Sequence, residues 1–432
     1  MAKMDADVDA DAGIGAGAGK REAGLRALWR NANYLLLWGG QAVSSVGTQL
    51  SQIAYPLLVL ALTGSAAQAG LLGAARTVPY LLLGLPAGAL VDRWNRKRLM
   101  MICDAGRAVL LGSIPLALLF GRLTLAQLYV VALAEGMLNV FFNLANTAAL
   151  TRVVTKAQLP TALAQDEVTL SAGFTAGPAL GGALFGLGRA LPFLADAISY
   201  AASVLSLRLI RADLNEPRTE GAARGWAALR DEIGEGMRWL WGHPLVRFLA
   251  LVVGGGQLVE SGCILVVIVA AQRMGASDAM VGLVLALGGV GSIIGGALAA
   301  PIARRASFGR ITLAVHWIWA AALPLYAIAP NPLALGAITA VTFGVTEVFL
   351  IAQYTYRLTL IPDALLGRVN SVVRLALYAG SPLGVALAGV LLQVWGAGAA
   401  ALILAGLLGF VALAATLYAP MRTAPKLSAH ED

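Results

Sequence analysis

Charged residues are scarce in this chain, and their scarcity excludes an ordinary soluble domain. Asp, Glu, Lys and Arg make up 12% of the 432 residues, against roughly 25% in an average soluble domain. Charge is absent from three long runs, residues 31–75, 311–346 and 375–421. A membrane-spanning helix needs about 20 apolar residues, so each run is long enough for two such helices. The composition therefore predicts an all-α polytopic membrane protein.

Cysteine and histidine are also rare. The cysteines, Cys103 and Cys263, both lie in apolar runs, where a disulfide framework is not expected. The three histidines are far apart in the sequence, so no metal site is predicted. The chain has no Gly-x-x-x-x-Gly-Lys-Ser/Thr loop, so nucleotide hydrolysis is unsupported. We expect no enzyme activity, no metal and no cofactor.

Gly/Pro turns and charged loops divide the apolar sequence into twelve predicted transmembrane spans, numbered 1 to 12 here. The first six cover about 33–62, 67–91, 99–120, 123–149, 160–187 and 191–209. The last six cover about 244–271, 279–303, 311–329, 333–358, 364–394 and 397–419. The predicted domains are a disordered tail 1–24, a six-helix bundle 25–209, a linker 210–242 with an amphipathic helix, a second bundle 243–420 and a tail 421–432.

Lysine and arginine alternate between successive loops. The loops on one side of the predicted bundle, named the basic side here, hold nearly all of them, whereas the opposite side holds only Arg122, Arg189 and Arg273. The positive-inside rule places the basic side, both termini and the central loop in the cytosol. The net charge of +8 then requires no nucleic-acid partner. We expect a multi-pass protein of a bacterial cytoplasmic membrane.

Short sequence matches recur between the two halves. Gly88-Ala-Leu recurs as Gly296-Ala-Leu, and Gly136-Met-Leu-Asn-Val-Phe recurs as Gly344-Val-Thr-Glu-Val-Phe at the same separation. Ordered matches at a constant separation indicate a duplicated unit. The sequence thus predicts two pseudo-symmetric six-helix bundles.

The loop between spans 2 and 3 carries a specific motif. Its residues Gly88, Asp92, Arg93, Arg96 and Lys97 match Gly-x-x-x-Asp-Arg-x-Gly-Arg-Lys/Arg, with Asn95 in place of the second glycine. This motif, with the twelve spans, resembles the major facilitator superfamily. The resemblance implies that the motif is a conformational latch, and a carboxylate beside arginines does form charge-assisted hydrogen bonds. The alternative is a basic loop that serves only membrane topology.

Span 5 carries a glycine–proline motif. The motif comprises Gly173, Gly177, Pro178, Gly181 and Gly182. Small residues allow transmembrane helices to approach closely, and a transmembrane helix can accommodate a proline. The spacing resembles the fifth-helix signature of the superfamily's exporters and antiporters, with Ala164 where that signature has a further glycine. The resemblance implies export, and we expect this motif to close against a helix of the other half as a gate; the alternative is ordinary small-residue packing.

Further details resemble one branch of the superfamily, which contains enterobactin exporters and macrolide or drug efflux proteins. They are Leu62-Thr-Gly-Ser65, Asp104 with Arg107, Trp241-Gly-His-Pro244, and Pro362-Asp363 with Gly367-Arg-Val369. Substrates vary within this branch, so the resemblance does not select one. A weaker antiporter motif in span 4 keeps Gly136 but has no arginine.

Polar residues form stripes on spans 1, 4, 7 and 10, the spans that line the central cavity in the family fold. The substrate-cavity candidates are Gln41, Ser45, Thr48, Asn139, Asn143, Gln257 and Tyr354. Polar groups at membrane depth are costly and usually line a pathway or pair with each other. The alternative is a helix–helix hydrogen-bond network, in which each contact contributes about 0.6 kcal/mol.

Three acids are the candidates for proton coupling: Glu135, Glu260 and Glu347. We expect one or more of them to exchange protons for substrate. Arg76 in span 2 needs a compensating acid, with Asp196 considered first and Glu135 as the alternative. Asp104 and Arg107, three residues apart on one helix, are expected to neutralise each other.

Three functions remain open at this point. The first is a secondary active exporter of small amphipathic, drug-type compounds, which works by alternating access and proton antiport. The second is a siderophore exporter of the same fold, and the third is a transport-inactive membrane sensor or lipid-handling protein. We expect the partners to be a small-molecule substrate, protons and the lipid bilayer, and the protein to be a monomer. His316 is expected to be an interfacial residue of span 9.

Overall fold

The computed structural model describes residues 28–84, 86–91, 93–215, 234–235, 237–361, 363–422 and 424, and their regular secondary structure is helical. Spans 1 to 6 are Ala32–Thr63, Ala66–Leu83 followed by Pro86–Val91, Arg96–Leu119, Leu125–Val153, Leu159–Leu187 and Leu191–Leu209. Spans 7 to 10 are Pro244–Arg273, Asp278–Arg305, Phe308–Ala322 followed by Leu325–Ile328, and Pro332–Leu360. Spans 11 and 12 lie in Asp363–Leu417, and a short helix Ala419–Arg422 follows.

The predicted N-terminal tail, most of the predicted C-terminal tail and most of the predicted linker lie outside the described residues, as does Asp92 of the latch motif. The predicted domain boundaries therefore stay predictions.

Turns on the opposite side end several helices with residues suited to them. Gly64 ends span 1 at φ 65° and Ser65 caps span 2 by accepting a hydrogen bond from the Gln68 amide. Gly396 lies at φ 81° and breaks the long helix into spans 11 and 12. Glycine adopts positive φ angles without the steric cost that a Cβ brings. Helix-ending signals in the sequence thus set where the chain reverses.

Nine helices among the described residues are long and apolar enough to cross a membrane. The longest of them, Val373–Leu417, contains the break at Gly396 and therefore supplies two spans. Two shorter helices, Ala66–Leu83 and Leu191–Leu209, complete the series. The helices are consistent with the twelve predicted spans.

Each half repeats the same packing pattern. In the first half, span 1 packs against spans 5 and 6, span 2 against span 4, and span 3 against spans 4 and 6. In the second half, span 7 packs against spans 11 and 12, span 8 against span 10, and span 9 against spans 10 and 12. The two sets correspond when span numbers are shifted by six, as the sequence repeats predicted.

The halves meet mainly at two places, where span 5 packs against span 8 and span 2 against span 11. A Cβ added at Gly182 would lie 2.4 Å from the backbone oxygen of Asp278, and one added at Gly70 would lie 2.6 Å from that of Val385. Both contacts therefore join backbone to backbone, with no space for a side chain. They lie toward the opposite-side ends of their helices, so the halves are closed on that side.

Candidate functional site

A polar cavity of about 340 Å³ lies on the basic side of these closed contacts. Spans 1 to 5 line it. Among the predicted substrate-cavity residues, those on its wall are Gln41, Ser45, Thr48, Asn139 and Asn143. Gln257 lines a separate cleft in the second half, and Tyr354 lines neither and is 52% exposed. Their contact with a substrate stays a prediction.

Glu135 on span 4 is held by two partners from other helices. Its Oε1 accepts a hydrogen bond from Arg76 Nη2 at 2.8 Å, and its Oε2 accepts one from the Tyr55 hydroxyl at 2.9 Å. The Glu135 side chain is 1% exposed and that of Arg76 is 17% exposed. Both side chains line the cavity. The pair thus neutralises charge on the cavity wall.

Gly136 makes this ion pair possible. A Cβ at Gly136 would lie 2.2 Å from the backbone oxygen of Arg76, so spans 2 and 4 touch through their backbones at this point. Small residues permit such close helix contacts in membranes. Of the two acids considered for Arg76, the structure selects Glu135, and Asp196 is not its partner. An arginine from span 2 therefore stands beside the span 4 acid, although span 4 itself has none.

The second ion pair is internal to span 3, as expected. Arg107 pairs with Asp104, and its Nη1 donates a hydrogen bond to Asn139 Oδ1 at 3.1 Å. Asn139 in turn donates to the Tyr80 hydroxyl at 2.5 Å. The Arg107 guanidinium also lies over the Tyr200 ring, 4.3 Å from its centroid. Spans 2, 3, 4 and 6 are thus joined by one buried polar network.

Tyr80 carries this network to the second half. Its ring lies 5.6 Å from that of Tyr378 on span 11, measured between centroids. Arg374 donates a hydrogen bond to the Tyr378 hydroxyl at 3.1 Å. Sequence reasoning did not identify Tyr55, Tyr80 or Tyr200, because a tyrosine in an apolar run can equally face lipid, pack in the core or line a cavity.

The second half has a smaller cleft, lined by Gln257, Glu260, His316, Thr346 and otherwise apolar residues. Glu260 and Glu347 are half-buried and have no hydrogen bond or ion pair to any described residue. The expectation for His316 was wrong, because it is 1% exposed and its Nδ1 lies 2.7 Å from the Thr312 carbonyl oxygen. Its ring also packs edge-on against Phe349.

The described latch residues bind the segment after span 6. Arg96 binds this segment through both its backbone and its side chain. Its amide donates a hydrogen bond to Asn215 Oδ1 at 3.0 Å, and its Nη1 donates one to the Leu214 carbonyl oxygen at 3.4 Å. Lys97 Nζ donates to the carbonyl oxygens of Arg208 and Ile210, at 3.2 and 2.6 Å.

Gly88 and Arg93 are the other latch residues that the structure describes. Gly88 faces open space, because a Cβ added there would meet no atom within 4 Å. Arg93 lies in the turn before span 3. With Asp92 outside the described residues, the latch itself stays a prediction.

The glycine–proline motif has two contact faces. Gly173, Gly177 and Gly181 face span 1, where a Cβ at Gly177 would lie 2.3 Å from Gln49 Cβ and one at Gly181 would lie 2.6 Å from Ile53 Cγ2.

Gly182 and the Pro178 carbonyl face span 8, where a Cβ at Gly282 would lie 2.3 Å from that oxygen. Among the five motif residues, these two therefore make the contact with the other half, and Gly173, Gly177 and Gly181 pack against span 1 of their own half. The gating role of the motif stays a prediction.

Two packed sets of membrane-spanning helices, with a polar cavity at membrane depth and a closed contact beyond it, define the architecture of a membrane transporter. A family model described as the Major Facilitator Superfamily matches residues 37–311. The chain belongs to this superfamily.

Individual relatives agree with this assignment. The multidrug efflux pump Tap of Mycolicibacterium fortuitum is 31% identical over 376 residues, which are 83% of this chain and 88% of that protein. The enterobactin exporter EntS of Escherichia coli O81 (strain ED1a) is 27% identical over 350 residues, 80% of this chain and 82% of that protein. A crystal structure of the nucleoside transporter NupG has a TM-score of 0.71 at 14% identity and covers 89% of this chain and 98% of that one, which shows the shared fold.

Proposed function

We propose that this protein exports small amphipathic, drug-type compounds across a bacterial cytoplasmic membrane by alternating access, in exchange for protons. The cavity carries this proposal: it lies on the basic side, which we assign to the cytosol, and the opposite side is closed at Gly182. A substrate would thus enter from the cytosol and leave after the gate opens. The similarity to Tap supports a drug-type substrate.

The charges of the cavity wall support a neutral or cationic substrate. Arg76 and Arg107 both line the cavity, but each is paired with an acid, Glu135 and Asp104 respectively. The rest of the wall combines amides and hydroxyls with the rings of Phe142 and Phe174. Polar side chains predominate on this wall, and the two rings add the aromatic surface that small-molecule sites commonly use.

The similarity to EntS keeps siderophore export as the second candidate. An anionic siderophore requires cationic groups free to bind it. The two arginines on the described cavity wall are already neutralised within the protein. This pairing favours the drug-type substrate.

Proton coupling is assigned to Glu135, Glu260 and Glu347. Glu135 exchanges its bonds with Arg76 and Tyr55 during the cycle, whereas Glu260 and Glu347 have no partner among the described residues that must first be displaced. Ionisable groups within the membrane commonly serve as proton relays. We propose that the protein does this as a monomer.

The test is drug accumulation in an efflux-deficient bacterial host that expresses the full chain. The wild type should lower the accumulation of at least one compound in a panel of lipophilic cations, and a protonophore should abolish the effect. Glu135→Gln, Glu260→Gln and Glu347→Gln are compared with Asp213→Asn, which neutralises an exposed acid outside the spans. Full gradient-driven efflux by all three glutamine variants would overturn the coupling assignment. Enterobactin secretion without any change in drug accumulation would favour the second candidate.

A further inference from the structure

The membrane interior of the first half holds three acids and two arginines. Asp104 pairs with Arg107 and Glu135 pairs with Arg76. The third acid, Asp196 on span 6, has no cation within ion-pair distance in the described structure. Its side chain is 0% exposed. One negative charge is therefore left uncompensated if Asp196 is ionised.

The surroundings of Asp196 are hydroxyls and tightly packed backbone. Its Oδ2 lies 2.5 Å from Ser51 Oγ on span 1, and its Oδ1 lies 3.3 Å from Ser199 Oγ. A Cβ added at Gly47 would lie 2.7 Å from Oδ1, so span 1 covers the carboxyl group closely. A carboxylate buried without a cation costs several kcal/mol, and a bound proton removes this cost.

Other titratable groups surround this position without pairing with it. Span 1 contributes Tyr55, whose hydroxyl is bound to Glu135 of span 4. Span 3 contributes Asp104 and Arg107, which are bound to each other, and span 2 contributes Arg76, which is bound to Glu135. On span 6 itself, Tyr200 bonds Thr48 at 2.7 Å. The charged residues of span 5, Asp166 and Glu167, lie near its basic end, whereas Asp196 lies near the opposite-side end of span 6.

The helix that covers Asp196 also supports the gate. Ser51 bonds Asp196, while its neighbours on span 1, Leu50 and Ile53, pack directly on Gly181 of span 5. The next residue, Gly182, makes the backbone contact with span 8 that closes the opposite side. A displacement of span 1 at Ser51 is thus passed to the gate across one helix.

We propose that Asp196 holds a proton while the opposite side is closed, and that release of this proton displaces span 1 and loosens the contact between spans 5 and 8. In the release step the O–H bond of the carboxyl group breaks, its electron pair stays on Asp196, and the proton passes to water. Thr48 lines the cavity one turn from Ser51 and marks the route. The inference rests on the proposed proton exchange and adds a residue to it that opens the gate rather than binding substrate.

Infrared spectroscopy of the purified full-length protein tests the protonation. A protonated carboxyl group has a carbonyl stretch separate from the carboxylate bands, and a wild-type minus Asp196→Asn difference spectrum at neutral pH should contain it. The Asp213→Asn control, at an exposed residue outside the spans, should not remove it. A difference spectrum with carboxylate bands alone would overturn the inference.

Spin labels on the opposite side test the link to the gate. Arg189 and Ser277 are exposed near the ends of spans 5 and 8, and the native cysteines are both buried, so labels at Arg189→Cys and Ser277→Cys report on this contact in a cysteine-free background. The label distance should increase with rising pH in the wild type and in Asp213→Asn, and should stay short in Asp196→Asn. Equal pH dependence in all three proteins would refute the proposal.

A second variant covers the case in which Asp196→Asn does not fold. Ser51→Ala keeps the carboxyl group but removes its hydrogen-bond partner, so the pH midpoint of the distance change should differ from that of the wild type. An unchanged midpoint would count against the inference. Neither the infrared nor the spin-label measurement uses a substrate. Both can therefore contradict the role of Asp196 while drug export stays proton-coupled, and both can support that role while the drug-export test fails.

Discussion

The contact between spans 5 and 8 allows a sharp test, because two glycines one turn apart on the same helix differ in the space around them. A Cβ at Gly182 would lie 2.4 Å from the Asp278 backbone oxygen, about 1 Å short of the 3.4 Å at which ordinary contact begins. A Cβ at Gly186 would lie 3.9 Å from Asp278 Cβ, within ordinary contact. Gly182→Ala and Gly186→Ala are therefore a matched pair.

The expected effect of Gly182→Ala follows from overpacking, which costs about 1–3 kcal/mol in a well-packed contact. The cost arises only while the opposite side is closed, so it changes the ratio of closed to open states by about 5- to 150-fold. The gain in helix propensity from Gly to Ala, about 1 kcal/mol, acts in both states and cancels. Gly186→Ala has no such cost and should leave the ratio unchanged.

Distances between spin labels at Arg189→Cys and Ser277→Cys measure this ratio directly. Gly182→Ala should increase the long-distance population, whereas Gly186→Ala should match the wild type. Identical distance distributions for Gly182→Ala and Gly186→Ala would refute the assignment of the gate to Gly182.

Two further predictions concern the ion pair on the cavity wall and the turn between spans 11 and 12. Glu135→Gln and Arg76→Gln should each lower the free energy of unfolding by about 3–5 kcal/mol, because each leaves a buried charge unpaired. The double variant should lose less than the sum of the two single losses. Additive losses in thermal unfolding would show that the two residues are not coupled. Gly396→Ala should destabilise by about 1–3 kcal/mol, because φ 81° with ψ 177° is a backbone conformation that only glycine adopts readily. Gly398→Ala, whose Cβ would lie in ordinary contact, should not destabilise. Equal melting temperatures for the two variants would contradict this.

The fold could be predicted closely from the sequence because its signals are local. Span 5 was predicted at about 160–187 and is Leu159–Leu187. Charge-free runs set the number of helices, and Gly, Pro and Ser residues set where they end. The side-chain stripes on spans 1 and 4 also follow from helical periodicity, which is why the structure places Gln41 and Asn139 on the cavity wall.

Pairings between helices were less predictable, because sequence gives neither the rotation of a helix nor its neighbours. Arg76 has two acids within reach in principle, and only the backbone contact at Gly136 brings Glu135 to it. His316 illustrates the same limit, since the sequence around a histidine in an apolar span is the same whether the side chain faces lipid or the core. The two faces of the span 5 motif likewise required the positions of spans 1 and 8.

In the proposed mechanism, substrate binding and gate opening take place at different depths in the membrane and therefore use separate groups. Gly182 and Asp196 each lie five residues from the opposite-side ends of their helices, Leu159–Leu187 and Leu191–Leu209, which is about 7.5 Å at about 1.5 Å per residue. Glu135 lies ten residues inside Leu125–Val153, about 15 Å from the same side. A substrate in contact with Glu135 would thus still be about 7.5 Å short of Gly182 in depth. Span 1 crosses both levels, because Thr48 lines the cavity and Ser51 bonds Asp196. We therefore propose that span 1 is the element through which occupancy of the cavity reaches the gate.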